Sequence, residues 1–213
     1  MPINAKPHSR RLFRLRTILL VVMLSVLLLP IASVYLFRFY ENELVRRTEE
    51  QLIDQSAALA AIYRELRRAP GVAIAHSQPQ YNQDFYIPIT PTLELSLQRV
   101  LPRRDVARNT QQAITATDWQ VGLRMQNILL NTQRYTLAGM RVLDANGIVI
   151  AGRSEVGESL SHVLEVRNAL AGNYRAVIRE RISDEPPPPL ASISRGTGIR
   201  VFTAFPVIEQ GEV

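Results

Sequence analysis

The sequence predicts an α+β protein carried on a membrane helix, and three stretches predict it. "TILLVVMLSVLLLPIASVYLF" (17–37) runs 21 residues without a charge. "FYENELVRRTEEQLIDQSAALAAIYRELRRA" (39–69) lacks Gly and Pro and is rich in strong helix formers. "GMRVLDANGIVIAG" (139–152) sets Asn146-Gly147 between two apolar runs, a strong hairpin signal. The expected order is a basic tail (1–16), a span (17–37), a long juxtamembrane helix (38–69) and an antiparallel sheet with flanking helices (70–213).

The charge distribution supports that division. The net charge of +6 is concentrated in residues 1–16, where Lys6, Arg10, Arg11, Arg14 and Arg16 meet no acid. The remaining 20 basic and 19 acidic residues nearly cancel, so the basicity is a local tail and nucleic acid is not an expected partner. Cys is absent, which excludes disulfides and thiolate metal sites.

A 21-residue helix spans roughly 31 Å, the thickness of a bilayer's hydrocarbon core. Pro30 is tolerated in a span because neighbouring groups satisfy the freed carbonyl. The aromatic rings of Tyr35, Phe37, Phe39 and Tyr40 suit the headgroup level at one end. The apolar core is longer than the roughly 7–15 residues of a cleaved signal peptide. "SRRLF" (9–13) resembles a twin-arginine export signal, yet a basic flank before a span is what the positive-inside rule requires. Residues 38–56 carry three basic and five acidic residues, so the expected orientation puts the N-terminus in the cytoplasm and everything after about residue 38 outside it.

On the helix beyond the span, Leu44, Leu52, Leu59 and Leu66 recur at intervals of seven or eight and form one apolar stripe. The stripe serves equally as a homodimer seam or as a face packed on the chain's own domain. Pro70-Gly71 stops the helix, and four prolines in 79–102 leave at most a short edge strand within 84–95. A second helix is expected over 104–135, with Trp119 at its start and Val121, Met125, Ile128, Thr132 and Tyr135 on a core face.

The hairpin follows, its two-residue turn requiring positive φ at both Asn146 and Gly147. Residues 157–172 read as a helix with Leu160, Val163, Val166 and Leu170 inward and Gly172 closing it. Residues 173–182 alternate: Tyr174, Ala176, Ile178 and Ile182 on one face, Arg175, Arg179 and Arg181 on a wet one. After the polyproline loop 186–189, segments 190–195 and 199–208 read as a hairpin across Gly-Thr-Gly.

"RVLDANGIVIAGRSEVGESL", then "EVRNALAGN" and "SRGTGIRVFTAFPVIEQG", resembles the extracytoplasmic Cache-type (PAS-like) sensor region of bacterial two-component sensor histidine kinases. The resemblance is concentrated in 139–211. It implies an input module that takes a small-molecule ligand or senses an envelope condition and signals as a homodimer across the membrane. The kinase, and through it the response regulator, would lie in sequence beyond Val213, so a C-terminally truncated domain is expected. His162 in "SHVLEV" lacks the context of a phospho-accepting histidine, and no nucleotide loop is present. The alternatives are the input domain of a chemoreceptor or nucleotide cyclase, or a single-span extracytoplasmic scaffold.

No nucleophile–base pair, zinc pattern or phosphate loop is found, so no catalytic residue, metal site or cofactor is expected. In a PAS-like sheet the ligand would lie between the concave face and its crossing loops. The candidates there are Arg153, His162, Tyr174, Arg195 and Arg200, arginine suiting a carboxylate or phosphate.

Overall fold

The computed structural model describes residues 15–68, 88–136, 138–181 and 198–208. Residues 1–14 of the tail, Pro70-Gly71, the 186–189 loop, the predicted strand 190–195, Ile182 and Arg195 lie outside the described residues. Two compact units are present, Met1–Tyr40 and Glu41–Val213.

Helix α1 runs Leu15–Arg67 and includes Pro30. In the first unit none of its described residues is buried, and the helix is long and apolar enough to cross a membrane. In the second unit it buries Glu41, Val45, Glu49, Ile53, Ala60 and Tyr63, the three- and four-residue spacing of a single helical face. Leu59 and Leu66 of the predicted stripe pack partly against this unit's core, Leu52 is half-buried and Leu44 is exposed.

The rest of the second unit is β1 (Arg108–Asn109), α2 (Ala116–Thr136), β2 (Arg141–Leu143), β3 (Val149–Gly152), β4 (Glu158–Ser159), α3 (Leu164–Leu170), β5 (Arg175–Glu180) and β6 (Ile199–Ala204). The strands form three antiparallel pairs, β1–β4, β2–β3 and β5–β6. The mixed α and antiparallel β class is as predicted; among the described residues the strands stand in three two-stranded pairs, with an isolated antiparallel bridge from Ile148 to Ser159 linking the β3 and β4 ends.

Helix α2 begins at Ala116 because Thr115 caps it. The Thr115 hydroxyl oxygen accepts from Asp118 N (3.1 Å) while the hydroxyl donates to Asp118 Oδ2 (2.6 Å). Its buried face is Val121, Gly122, Met125 and Leu129. Trp119 and Tyr135 are exposed, because a face inclined along Val121–Met125–Leu129 turns both outward. Gly122 lies so close to the Ile150 carbonyl that no Cβ fits. Gln126 clasps the Gly152 backbone, donating to its carbonyl (2.6 Å) and accepting from its N–H (2.7 Å).

The hairpin is present, but its turn is built differently from the two-residue form. Gly147 has φ +78°, whereas no positive φ occurs at Asn146. Gly147 N donates to the Asp144 carbonyl (2.9 Å), and Asp144 Oδ1 accepts from Asn146 N (2.9 Å) and Ile148 N (2.8 Å). The buried Asp144 carboxylate therefore organises the loop, and only glycine needs the left-handed region.

The predicted helix 157–172 shortens to α3. Gly157 at φ +88° and Glu155 at φ +67° turn the chain, and Glu158–Ser159 pairs with β1, which removes those residues from any helix. Leu160 and Val163 still point inward, onto Val149. The closure at Gly172 is as expected: φ is +82°, Gly172 N donates to Ala169 O (2.9 Å) and Asn173 N to Asn168 O (3.0 Å), a Schellman motif.

Candidate functional site

Two places in the second unit bring buried polar groups of α1 together with polar groups of other elements. The first is centred on Glu49, a fully buried residue of α1. Its carboxylate accepts from Thr92 N (3.0 and 2.9 Å), Leu93 N (2.7 Å), the Thr92 hydroxyl (3.3 Å) and Tyr174 OH (3.0 Å). Two turns nearer the N-terminus, Asn42 Oδ1 accepts from Leu95 N (2.7 Å). Segment 92–95 thus adds no strand to a sheet; the N–H groups of Thr92, Leu93 and Leu95 are taken up by side chains on one face of α1. Beneath it Val45, Leu93, Leu95, Ala176 and Ile178 form an apolar cluster. Burial, then the neighbouring Glu49 charge, push the Tyr174 hydroxyl far above its usual range.

The second place is a cavity of about 270 Å³ bounded by α1, the hairpin, α3 and β6. Leu59, Leu129, Val142 and Phe202 give it apolar walls, and Tyr63, Arg67, Arg104, Arg141 and Glu165 give it polar ones. Tyr63 OH accepts from Arg67 (3.2 Å), and burial raises its pKa against the opposing pull of Arg67. Glu165 holds the buried Arg179 through two bonds, Nε to Oε1 (3.2 Å) and a second terminal nitrogen to Oε2 (2.8 Å). Arg179 also donates to the Pro102 carbonyl (3.1 Å). Arg104 and Arg141 both reach Glu155, at 2.6 Å each. Burial opposes ionisation of Glu155, but Arg104 and Arg141 outweigh it and hold the carboxyl below the usual range. Buried nitrogens of Arg104 (Nη1) and Arg141 (Nε) have no hydrogen-bond partner among the described residues.

The five ligand candidates read from sequence do not converge. Arg153 is exposed, on a shallow depression with Leu130, Gln133 and Arg134. His162 is half-buried, its Nε2 without a partner among the described residues. Tyr174 is engaged on Glu49. Arg200 is exposed opposite Arg179 on β6, and Arg195 lies outside the described residues. The expectation that Arg179 sits on a wet face is wrong: it is buried because Glu165 reaches it from α3.

The buried Glu49, Glu165 and Asp144 were missed as site residues. For Glu49 a signal existed: Glu41 and Glu49 alternate with Val45 and Ile53 at four-residue spacing, two acids on the face that must be buried. Among the described residues no group of three or more His, Asp or Glu side chains could hold a metal ion. Compared with known proteins, the chain matches no family model, no curated protein and no solved structure.

Proposed function

We propose that this chain is the membrane-anchored signal-input region of a receptor, with α1 as the element that carries the signal. The single observation behind this reading is the Glu49 clasp. The helix that supplies a membrane-length apolar stretch also supplies the one carboxylate that gathers Thr92, Leu93 and Tyr174. Any event that displaces segment 92–95 or the start of β5 must either break these bonds or move α1 with them. Burial makes breaking costly, so movement is the cheaper response.

In this reading residues 1–16 are cytoplasmic, 17–37 cross a bacterial inner membrane and the α+β domain is extracytoplasmic. The output is a histidine kinase of the two-component type acting on a response regulator, as the resemblance to Cache-type (PAS-like) sensor regions implies. The functional form is a homodimer. Of the four seam leucines, Leu44 is the exposed one and the best reporter of helix pairing.

The lack of cysteine makes single-cysteine reporters clean. Asn127→Cys, at an exposed position on α2, should react with a membrane-impermeant maleimide in spheroplasts without lysis. Reaction only after lysis would place the domain inside and end the proposal. Leu44→Cys should form an oxidative dimer in membranes, and Glu49→Gln should change its yield. An unchanged yield would remove the clasp from the signalling path.

A further inference from the structure

Beyond that reading, but resting on its placement of 17–37 across a bilayer, we infer that the turn 94–98 is a second membrane contact, with Leu97 seated in the headgroup–acyl boundary of the bilayer that holds the span. Leu93 and Leu95 are buried, so continued alternation would carry Leu97 inward as well. The turn prevents it. Leu97 N (3.1 Å) and Gln98 N (2.9 Å) both donate to the Glu94 carbonyl, and Leu97 is left 79% exposed.

The turn is tied to itself. The Ser96 hydroxyl donates to Glu94 Oε1 (2.9 Å) and Gln98 Nε2 donates to the Thr92 carbonyl (2.8 Å), so a closed loop presents one apolar side chain, with the exposed Arg99 two residues on. A leucine beside an arginine suits a lipid surface: the branched chain enters the acyl boundary and the guanidinium takes a phosphate.

The direction of the segment selects the bilayer. Glu49 accepts from Leu93 N (2.7 Å) and Asn42 from Leu95 N (2.7 Å), so the chain runs antiparallel to α1 and enters the turn while descending that helix toward its N-terminal end. Connectivity bounds the rest: Asn42 is five residues on from Phe37, the last of the uncharged stretch, and five residues reach no more than about 18 Å in any conformation. The headgroup zone outside the hydrocarbon is itself about 5–8 Å deep. One side chain is too small to hold a protein partner, since specific interfaces bury about 800 Å² a side. It suffices for a bilayer, because the span already keeps the domain at high effective concentration over the lipid. The same short segment then joins lipid at Leu97 to the Glu49 clasp at Leu93.

Thiol labelling of the full chain in spheroplasts tests the contact. Leu97→Cys should react with the membrane-impermeant maleimide roughly tenfold more slowly than Asn127→Cys, although both positions are exposed in the protein itself. Equal rates would overturn the inference and leave the domain outside; an Asn127→Cys that reacts only after lysis would overturn the underlying reading and the inference together. Brominated lipid then separates a bilayer from a protein cover. In vesicles of phosphatidylcholine and phosphatidylglycerol brominated on the acyl chains, Leu97→Trp, made on a Trp119→Phe background because Trp119 is the chain's single Trp, should lose about half of its fluorescence relative to unbrominated vesicles. Gln120→Trp on the same background, at an exposed position of α2, should keep its own. Slow labelling without quenching would mean that another polypeptide covers the turn, and that result also overturns the proposal.

Discussion

Helix α1 docks onto its domain at two ends by opposite physics. Around Tyr63 the contact is apolar: Val121, Met125, Leu129, Ile150 and Ala151 bury against it, with Leu59 and Leu66 at the margin. Around Glu49 the contact is directional, with one carboxylate collecting two backbone N–H groups and two hydroxyls. Apolar burial scales with area and tolerates small slides; a buried carboxylate with four donors tolerates none. The difference makes the Tyr63 end the holding contact and the Glu49 end the one that fixes register.

The largest expected effect breaks the directional end. Glu49→Ala strands Thr92 N, Leu93 N and Tyr174 OH in a buried site, and the cost is about 3–5 kcal/mol. Chemical denaturation of the second unit should show it, with Glu49→Gln recovering only part because its amide nitrogen cannot accept. Next comes the apolar end: Met125, fully buried, should cost about 2–5 kcal/mol as Met125→Ala. Met125→Leu should cost less than about 1.5 kcal/mol. If Glu49→Gln were as mild as Met125→Leu, the contrast between the two ends would be lost.

A smaller effect probes the hairpin. Gly147→Val requires a β-branched residue at φ +78°, and its Cβ would lie 2.9 Å from that of Ser161. Strain and the enforced shift together cost about 2–3 kcal/mol. Gly147→Asn, which tolerates the left-handed region, still meets Ser161, so only part should be recovered. Tyr174→Phe removes one bond to Glu49 and should cost about 1–2 kcal/mol. The raised Tyr174 pKa adds a signature. Its stabilisation is full below the unfolded value near pH ~10 and falls as pH rises above it. The gap between wild type and Tyr174→Phe should therefore narrow in alkali.

What was legible in the sequence follows the reach of each signal. The apolar length of 17–37, the Asn146-Gly147 hairpin and the Gly172 helix end depend on residues within a few positions, and all are found. The turn's construction was missed because Asp144 acts through a carboxylate four residues from the amide it binds at Ile148. Arg179 looked wet because period-two alternation says which face a side chain takes, not what covers that face; Glu165 covers it from 14 positions away. The partners of Glu49 lie 43 to 125 positions away, and no local pattern encodes them.

The smallest expected effect concerns Glu155, whose non-glycine φ of +67° is held by Arg104 and Arg141. Its carboxyl ionises below the usual range because those two guanidinium groups outweigh the cost of burial. A depressed folded-state pKa stabilises the fold fully above the unfolded value of about 4.3, and the benefit is lost as pH falls through the folded value. Glu155→Gln should lower the urea midpoint at pH 7, and the gap from wild type should close between roughly pH 5 and pH 3. A gap that stays constant over that range would mean that the two arginines merely sit beside Glu155, leaving the hairpin to the Asp144 carboxylate, the Gln126 clasp on Gly152 and its apolar packing.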